Sequence, residues 1–445
     1  MDDSRQVNIE IRSPKVVQQC LDRMTENMAL DENGRVTFPM GFKFYVCSEI
    51  LSDNVTIKAI SHGHTNRAII NKALFRLGTY KRHTLPMFRR ALAVEAKRHL
   101  RDEATYTVLM LLNSNDTAFR DHRSFDIGGT VLRICTWASL REEFGSQLQR
   151  LLDNWRSLEI GDGMSNLVVR YEDNKTLLRY FDFTPALCEV QAYSLREAVG
   201  QAELAFDTLR ALLNMQQIYG MTQYQGGRSK PLGKLLPSPV LGAFASDKSF
   251  QEPLYFTVGR YRYSRHQITP KDVERAAELL SRLTSWQKDG QSTRDMLVDI
   301  LCKYGQGLDT PDWQSAFLFF WQILEIAALQ SQTDIINMRK VIARTYNLIT
   351  GGKTDLLLKQ LLECLKRTRN ELVHLGKFPE EGLHQVNLLK SVVDRVIDAL
   401  LTKLDDLPDR RSLEVYYRCV TLNNAEIETQ RRVIDFISQP DNRNL

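Results

Sequence analysis

Residues 365–378, with the sequence LKRTRNELVHLGKF, place arginine, asparagine and histidine side chains within a few positions of one another. Arg369, Asn370 and His374 are the candidates for chemistry, with Arg367 as a possible auxiliary residue. A histidine can accept and donate a proton near neutral pH. A guanidinium binds anions through several N–H donors. The segment therefore offers a proton-transfer group beside an anion-binding group.

The arginine at position 369 falls on an apolar helical stripe. With Leu358, Leu362, Leu365 and Leu372 it follows the alternating spacing of four and three residues that lines one face of a helix. A buried guanidinium without a partner costs several kcal/mol, on the order of an unmade charged hydrogen bond or more. We therefore expect a carboxylate on a neighbouring helix, an interface or a bound anion beside Arg369. The sequence supports an internal ion pair as well as it supports an interface and a bound anion taken together.

The other polar residues follow the geometry of a helix end. Asn370 and His374 are four residues apart, so the amide is expected to hydrogen-bond the imidazole. Gly376 is the expected residue just past the helix, which places His374 in the last turn, where the helix dipole favours the imidazolium. Arg367 precedes Glu371 by four residues, and we expect a surface ion pair between them.

The elements that must position these residues are helices. From residue 293 onward, five amphipathic segments joined by short connections predict an antiparallel bundle, and NNAEIETQRRVIDFI adds a further helix. The polar stretch QKDGQST, 287–293, is the expected domain boundary. The fold class is therefore an α+β N-terminal region, 1–288, followed by an all-α bundle with a C-terminal extension, 289–445. A subdivision of the first region is expected near residue 190.

The N-terminal region mixes strand and helix patterns. Short runs rich in β-branched and aromatic residues predict strands at FKFYVC, TYTVLMLL, TVLRICTW, LVVRY and PLYFTVGRYRY. Helices are predicted near 66–77, 85–103 and 139–155, with another that begins at Ser13-Pro14. A long helix is predicted after Ser194, which forms a capping box with Glu197.

The composition is typical of a globular chain: 445 residues, 43% hydrophobic and 25% charged, with a net charge of +5. Seven scattered cysteines without a CxxC pair favour free thiols over disulfides or a structural zinc site. The most apolar stretch, SAFLFFWQILEIAAL, is interrupted by Gln322 and Glu325 and is too short to cross a bilayer. We expect a cytoplasmic protein without membrane contact.

The segment RNELVH resembles the R-x(4–6)-H motif of HEPN-superfamily ribonucleases, including the polar residue directly after the arginine. Its position near the end of one long helix, with another following, is similar to the ApeA-like HEPN domains of prokaryotic anti-phage defence proteins. The resemblance covers about residues 290–405. Arg76 with His83, and Arg260 with His266, also fit the spacing, but they lie outside the predicted bundle.

The resemblance implies an endoribonuclease of abortive infection, or a toxin, that needs no metal or other cofactor. HEPN nucleases cleave RNA through attack of the ribose 2′-hydroxyl on the adjacent phosphate, which requires proton transfers and stabilisation of a charged phosphorane. The resemblance assigns the phosphate clamp to Arg369, proton transfer to His374 and orientation of the pair to Asn370. It also implies a homodimer, in which two motifs share one composite site, and restraint by a trigger or inhibitor protein.

Two basic segments are candidates for RNA binding. Residues 76–101 carry eight Lys and Arg against the single acid Glu95, and GRYRYSRH, 259–266, alternates arginine with tyrosine. Basic residues can follow a phosphate backbone, and tyrosines can stack on bases. An ordinary solvated helix face and a half-buried strand explain the same patterns without RNA. The candidate residues are Lys81, Arg82, Arg89, Arg90, Lys97, Arg98, Arg260 and Arg262.

Two further functions fit the same residues. The bundle can be a dimerising module that holds RNA or a nucleotide without cutting it. It can also be a helical scaffold for protein interactions, in which Arg369 only closes a buried ion pair.

Overall fold

The computed structural model describes most of the chain, and all structural statements below concern that part. The described residues are 7–26, 29–30, 36–37, 42–58, 63–77, 83–101, 103–160, 182–220, 231–256, 265–284, 293–328, 337–380, 382–403, 405–420, 422 and 424–438. The contacts divide the chain into two compact units. The first comprises Met1–Tyr106 with Gln191–Gly200, and the second comprises Thr107–Val190 with Gln201–Leu445.

The first unit packs four helices around their apolar faces, with two small two-stranded sheets. The helices are α1 (Pro14–Glu26), α2 (Phe42–Asn54), α3 (Gly63–Leu77) and α4 (Leu85–Arg101). Strand β1 (Ile9–Ile11) pairs antiparallel with β4 (Val55–Ile57), and β2 (Ala29–Leu30) pairs antiparallel with β3 (Val36–Thr37). The strand predicted at FKFYVC is wrong, because these residues lie in α2.

A six-stranded sheet lies largely in the second unit, with the strand order β10-β9-β5-β8-β7-β6. Its strands are β5 (Ala104–Leu112), β6 (Ser124–Ile127), β7 (Thr130–Ile134), β8 (Thr184–Ala192), β9 (Val240–Ala245) and β10 (Phe250–Phe256). The predicted strands at TYTVLMLL and TVLRICTW are confirmed as β5 and β7. Strands β6, β8 and β9 were not predicted. LVVRY lies outside the described residues.

Three helices accompany the sheet: α5 (Trp137–Ile160), α6 (Leu195–Gln217) and α7 (Pro270–Thr284). Helix α5 packs its buried leucines and Trp155 against residues of β5, β9 and β10. The predicted cap of α6 is confirmed for Ser194, because Glu197 N–H donates to Ser194 Oγ at 3.3 Å, but the Glu197 carboxylate accepts from the N–H of Tyr193, one residue before the cap, at 3.2 Å.

From residue 293 the structure is helical. The elements are α8 (Thr293–Asp309), α9 (Trp313–Ala328), α10 (Met338–Thr350), α11 (Leu356–Leu375), α12 (Gly382–Thr402), α13 (Arg410–Cys419) and α14 (Asn424–Ser438). Helix α9 is the centre of the group and packs against α8, α10, α11 and α12. The mixed α+β class is therefore confirmed. The boundary predicted near 288 falls on residues outside the described part.

Two buried ion pairs connect α6 and the residues that follow it to these C-terminal helices. Arg210 of α6 donates from both Nη atoms to the carboxylate of Asp309 at 2.6 and 2.7 Å, and Asp207 provides a second carboxylate at 2.9 Å. Burial raises the pKa of Asp309 to about 6, although the Arg210 charge opposes that shift. Since the geometry is bidentate and every partner is satisfied, this pair fastens α6 to the end of α8.

The second pair lies on α12 and is fully buried. Lys390 Nζ donates to Asp394 Oδ2 at 2.7 Å, to the Gly220 carbonyl at 2.9 Å and also to the Ile218 carbonyl. Asp394 additionally accepts from Tyr304 Oη and from Gly220 N–H, each at 2.7 Å. Burial raises the pKa of Asp394 and lowers that of Lys390. The network holds residues 218–220 against α8 and α12.

A membrane-spanning element was not expected from the sequence. Among the helices that the structure describes, none combines the length and apolar character needed to cross a membrane.

Candidate functional site

Helix α11 carries Arg369, Asn370 and His374, and its two ends are capped by Asp355 and Gly376. Asp355 precedes the first turn, and its Oδ1 accepts from Leu358 N–H at 3.0 Å. At the other end Gly376 adopts the left-handed conformation, with φ of 63°. Its N–H donates to the Leu372 carbonyl at 3.0 Å, and Lys377 N–H donates to the Glu371 carbonyl at 3.2 Å. The prediction for Gly376 is confirmed, so His374 lies in the last turn.

Arg369 lies on the inner side of α11, as its position on the apolar stripe predicts. The four leucines of that stripe are buried, and the arginine side chain is only 18% exposed. Its Nη2 lies 3.5 Å from Oε1 of Glu325 on α9, and the Glu325 side chain is 13% exposed. The expected carboxylate on a neighbouring helix is therefore present.

Glu325 is itself fixed by its own helix. Its Oε1 accepts from Nε1 of Trp321, one turn earlier, at 2.9 Å, and Trp321 is buried. Within the described part of the chain, Nε of Arg369 is buried and has no hydrogen-bond acceptor. The guanidinium is therefore held at one point, through the contact of Nη2 with Glu325.

Glu325 was not named as a site residue from the sequence, although a signal existed. It interrupts SAFLFFWQILEIAAL, the most apolar stretch of the chain. A carboxylate on such a segment must meet a cation or a donor, because an unpaired buried charge is too costly. Pairing the one acid of that segment with the one arginine of the α11 stripe identifies the contact.

His374 and Asn370 lie on the outer side of α11. The imidazole is exposed and Asn370 is half-buried. Among the described residues the two side chains make no hydrogen bond with each other, so the predicted amide–imidazole bond is not formed. Arg369 and His374 are five residues apart, which separates their directions by about 140° around the helix axis. A single copy therefore does not bring the guanidinium and the imidazole onto one helix face.

Arg367 is exposed and lies on the same face as His374, seven residues away. Its predicted ion pair with Glu371 is wrong for the described structure, because Arg367 Nη2 donates to Cys364 Sγ at 3.2 Å instead. Such a contact is weak and exposed. Arg367 therefore remains an accessible cation two turns before the histidine.

Some basic residues of the first unit contact other protein groups, and others lie exposed on the surface. Arg76 pairs with the buried Glu95 at 2.7 Å, and Arg89 donates to the Ile9 carbonyl at 2.9 Å. Arg90, Lys97 and Arg98 are exposed on α4. The remaining candidates lie outside the described residues: Lys81, Arg82, Arg260 and Arg262.

The two other arginine–histidine spacings end on histidines with structural contacts. His83 is buried, and its Nε2 lies 2.9 Å from the Leu77 carbonyl. His266 Nε2 lies 3.1 Å from Gln217 Oε1, and burial followed by the charge of Lys234 lowers the pKa of His266. Spacing alone therefore does not identify the site.

No group of three or more His, Cys, Asp or Glu side chains in the described ranges is arranged to hold a metal ion. The arrangement on α11 instead combines an anchored guanidinium, an exposed imidazole and a second exposed guanidinium. The chain matches no model of a known protein family, no curated protein and no solved structure.

Proposed function

We propose that this chain is an endoribonuclease of the HEPN type. The observation that carries the proposal is the placement of Arg369 and His374 at the C-terminal end of α11, with the imidazole exposed and the guanidinium only partly engaged by Glu325. The helical arrangement from 293 onward supports the proposal, because the motif lies on a long helix that another long helix follows.

The proposed reaction is a transesterification within the RNA strand. The ribose 2′-oxygen loses its proton and bonds to the adjacent phosphorus, and the bond from phosphorus to the 5′-oxygen breaks. The products are a 2′,3′-cyclic phosphate and a free 5′-hydroxyl, with the proton delivered to the leaving oxygen. His374 transfers a proton, and Arg369 offsets the charge on the phosphoryl oxygens. The residues that carry these roles require no metal ion.

A second copy of the chain completes the proposed site. Arg369 and His374 leave α11 in different directions, and one histidine serves one proton transfer at a time. Val373 and Leu375, both exposed apolar residues, flank His374. An isologous dimer that covers them would bring two motifs together. Asn370 is half-buried on the same part of the helix and would orient the paired side chains.

The exposed cations of α4, Arg90, Lys97 and Arg98, provide a surface for the RNA backbone. Residues 1–288 would recognise the RNA, a trigger or an inhibitor protein. The cellular role proposed is a cytoplasmic toxin or abortive-infection effector against phage. This last step rests on the resemblance of the RNELVH segment to the family motif.

The test compares His374→Ala with His384→Ala, a matched substitution of an exposed histidine on α12. After induced expression, and with purified protein in EDTA, the wild type and His384→Ala are expected to fragment RNA. His374→Ala is expected to cleave about 10²–10⁴-fold more slowly, with an unchanged thermal midpoint because the side chain is exposed. Intact RNA in the wild type, or equal cleavage by His374→Ala, would exclude the nuclease.

The Arg369–Glu325 contact also supports a second candidate, a helical scaffold without catalysis. In a scaffold the pair serves stability, and Arg369→Ala leaves Glu325 without its cation. A large fall in the unfolding midpoint of Arg369→Ala, together with absence of RNA cleavage by the wild type, would favour the scaffold. A wild type that binds RNA tightly without cutting it would indicate the non-catalytic binding module.

A further inference from the structure

Glu325 is the residue that contacts the proposed phosphate-binding arginine from another helix. Its Oε1 receives two donors, Trp321 Nε1 at 2.9 Å and Arg369 Nη2 at 3.5 Å. Since Trp321 is buried one turn before Glu325, the position of the carboxylate oxygen is set by α9 itself. The oxygen is therefore a fixed point against which the arginine side chain rests.

The contact engages little of the guanidinium. It is a single contact of 3.5 Å, whereas Arg210 and Asp309 form two short hydrogen bonds. Of the three guanidinium nitrogens of Arg369, only Nε is both buried and unpaired among the described atoms. Nη1 is not a buried atom without a partner, and the side chain as a whole keeps 18% of its surface exposed. A carboxylate that bonded both edges of the guanidinium would block an incoming phosphate, whereas the contact with Glu325 involves Nη2 alone.

We propose that Glu325 is a positioning residue for RNA cleavage: held by Trp321, it fixes one edge of the Arg369 guanidinium so that the opposite edge meets the phosphate. This role rests on the proposed nuclease function. The physical reason is the length of the arginine side chain, whose rotatable bonds must be restrained before its donors can match two phosphate oxygens. Supporting interactions of this kind hold reacting groups in productive geometry.

The experiment measures cleavage of a fluorophore-labelled synthetic single-stranded RNA by the full chain. Glu325→Gln keeps the shape and an oxygen acceptor, and it is expected to retain kcat within about threefold, a difference of well under 1 kcal/mol by the usual conversion. Glu325→Leu removes the anchor and is expected to lower kcat by about 10²-fold, with KM nearly unchanged. Glu363→Gln is the control, because Glu363 pairs with Lys366 elsewhere on α11 and should leave both constants unaltered.

Two additional variants separate positioning from general stability. Trp321→Phe keeps an aromatic ring in the core but removes the donor that fixes Oε1, so kcat should fall several-fold while the protein stays folded. In an Arg369→Ala background, Glu325→Leu should cause no further loss, since Glu325 acts through the arginine. A merely structural glutamate would instead change the unfolding midpoint in both backgrounds.

The possible failures are distinguishable. A wild type that does not cleave the RNA removes the nuclease function, and Glu325 then has no reaction to assist. A wild type that cleaves, together with undiminished kcat in Glu325→Leu or in Trp321→Phe, removes the positioning role alone. An additive loss in the Arg369→Ala background would also overturn it.

Discussion

At the scale of single residues, charged side chains buried on α6 and the C-terminal helices are explained by their partners. Arg210, Lys390 and Arg369 lie in or near the core, and each meets a carboxylate. The Lys390–Asp394 and Arg210–Asp309 pairs are buried and further satisfied by hydrogen bonds. The Arg369–Glu325 pair is longer and incomplete. The first two pairs thus serve structure, and the third is compatible with binding an additional anion.

The buried lysine gives the first stability prediction. Lys390→Met leaves the Asp394 carboxylate without its cation in the core, so we expect a loss of about 3–5 kcal/mol in the free energy of unfolding at pH 8. Chemical denaturation measures it. Lys366→Met is the matched control, because its pair with Glu363 is partly exposed and should contribute at most about 1 kcal/mol.

The stability of Lys390→Met should depend on pH in a defined direction. Burial already raises the pKa of Asp394 in the folded protein, and removing Lys390, which lowers it, should raise it further. The folded state then binds a proton that the unfolded state releases, so the stability of Lys390→Met increases as the pH falls through the folded pKa of Asp394 toward its unfolded value. The difference from the wild type should be smaller at pH 5 than at pH 8. A constant or growing difference would contradict the assignment.

At the scale of elements, the local sequence determines some helix ends, whereas tertiary packing determines whether other segments form a helix or a strand. The caps of α11 follow from Asp355 and Gly376 themselves. In contrast, FKFYVC has the β-branched and aromatic content of a strand, yet it starts helix α2. The longer segment explains the difference, since Cys47, Ser48 and Leu51 are buried at helical spacing and Ser48 Oγ donates to Asn71 on α3. Contacts with α1 and α3 therefore outweigh short-range propensity.

The exposed end of α11 gives a prediction about assembly. Leu375 is 63% exposed beside His374, and covering it in the proposed dimer should stabilise association. Leu375→Glu is expected to shift the protein toward monomer in analytical ultracentrifugation and to reduce RNA cleavage in parallel. Leu357→Glu is the control, because Leu357 is also exposed but lies about 27 Å away along the helix. An unchanged dimer in Leu375→Glu, or equal dissociation by both variants, would place the interface elsewhere.

The exposed face of α4 gives a prediction about RNA affinity. Replacing Arg90, Lys97 and Arg98 with Gln should weaken binding of a 2′-O-methyl RNA, which cannot undergo the 2′-hydroxyl attack. The slope of log affinity against log salt should decrease by about 2, or about 0.7 for each lost phosphate contact on a single strand. Fluorescence anisotropy over a series of KCl concentrations measures it. Lys58→Gln, whose ammonium already lies 3.8 Å from Glu10, should leave the slope unchanged.

At the scale of the whole molecule, the C-terminal helices depend on α6 and the segment that follows it. Asp309 receives its cation from Arg210, and Lys390 bonds the carbonyls of Ile218 and Gly220. Most of the sheet and these helices also belong to one compact unit. The part of the chain that carries the motif therefore completes its core with residues from earlier in the sequence.

That dependence predicts the behaviour of a fragment. Residues 289–445 expressed alone should lack a cooperative thermal transition. Losing the partner of one buried charge costs about 3–5 kcal/mol, against a total stability on the order of 5–15 kcal/mol. Circular dichroism and the dispersion of amide NMR signals measure it. The same fragment with Asp309→Leu removes the unpaired carboxylate and should recover part of the transition. A fragment as stable as the full chain would show that 289–445 is an independent domain.

The sequence by itself determined those features that depend on neighbours along the chain. These are the α11 stripe with Arg369 on it, the cap at Gly376, the position of His374 in the last turn and the mixed α+β composition. Helical periodicity and cap residues are local properties, so they can be recognised before any fold is known.

Tertiary structure decided which distant groups meet. It paired Arg369 with Glu325, 44 residues away, and Arg210 with Asp309, 99 residues away. It also left Asn370 and His374 without the bond that their spacing allows, and it placed strands β8 and β9 in the sheet. A buried charge requires a partner, but its identity depends on which helices pack together. That choice is made by the whole core and not by any one segment.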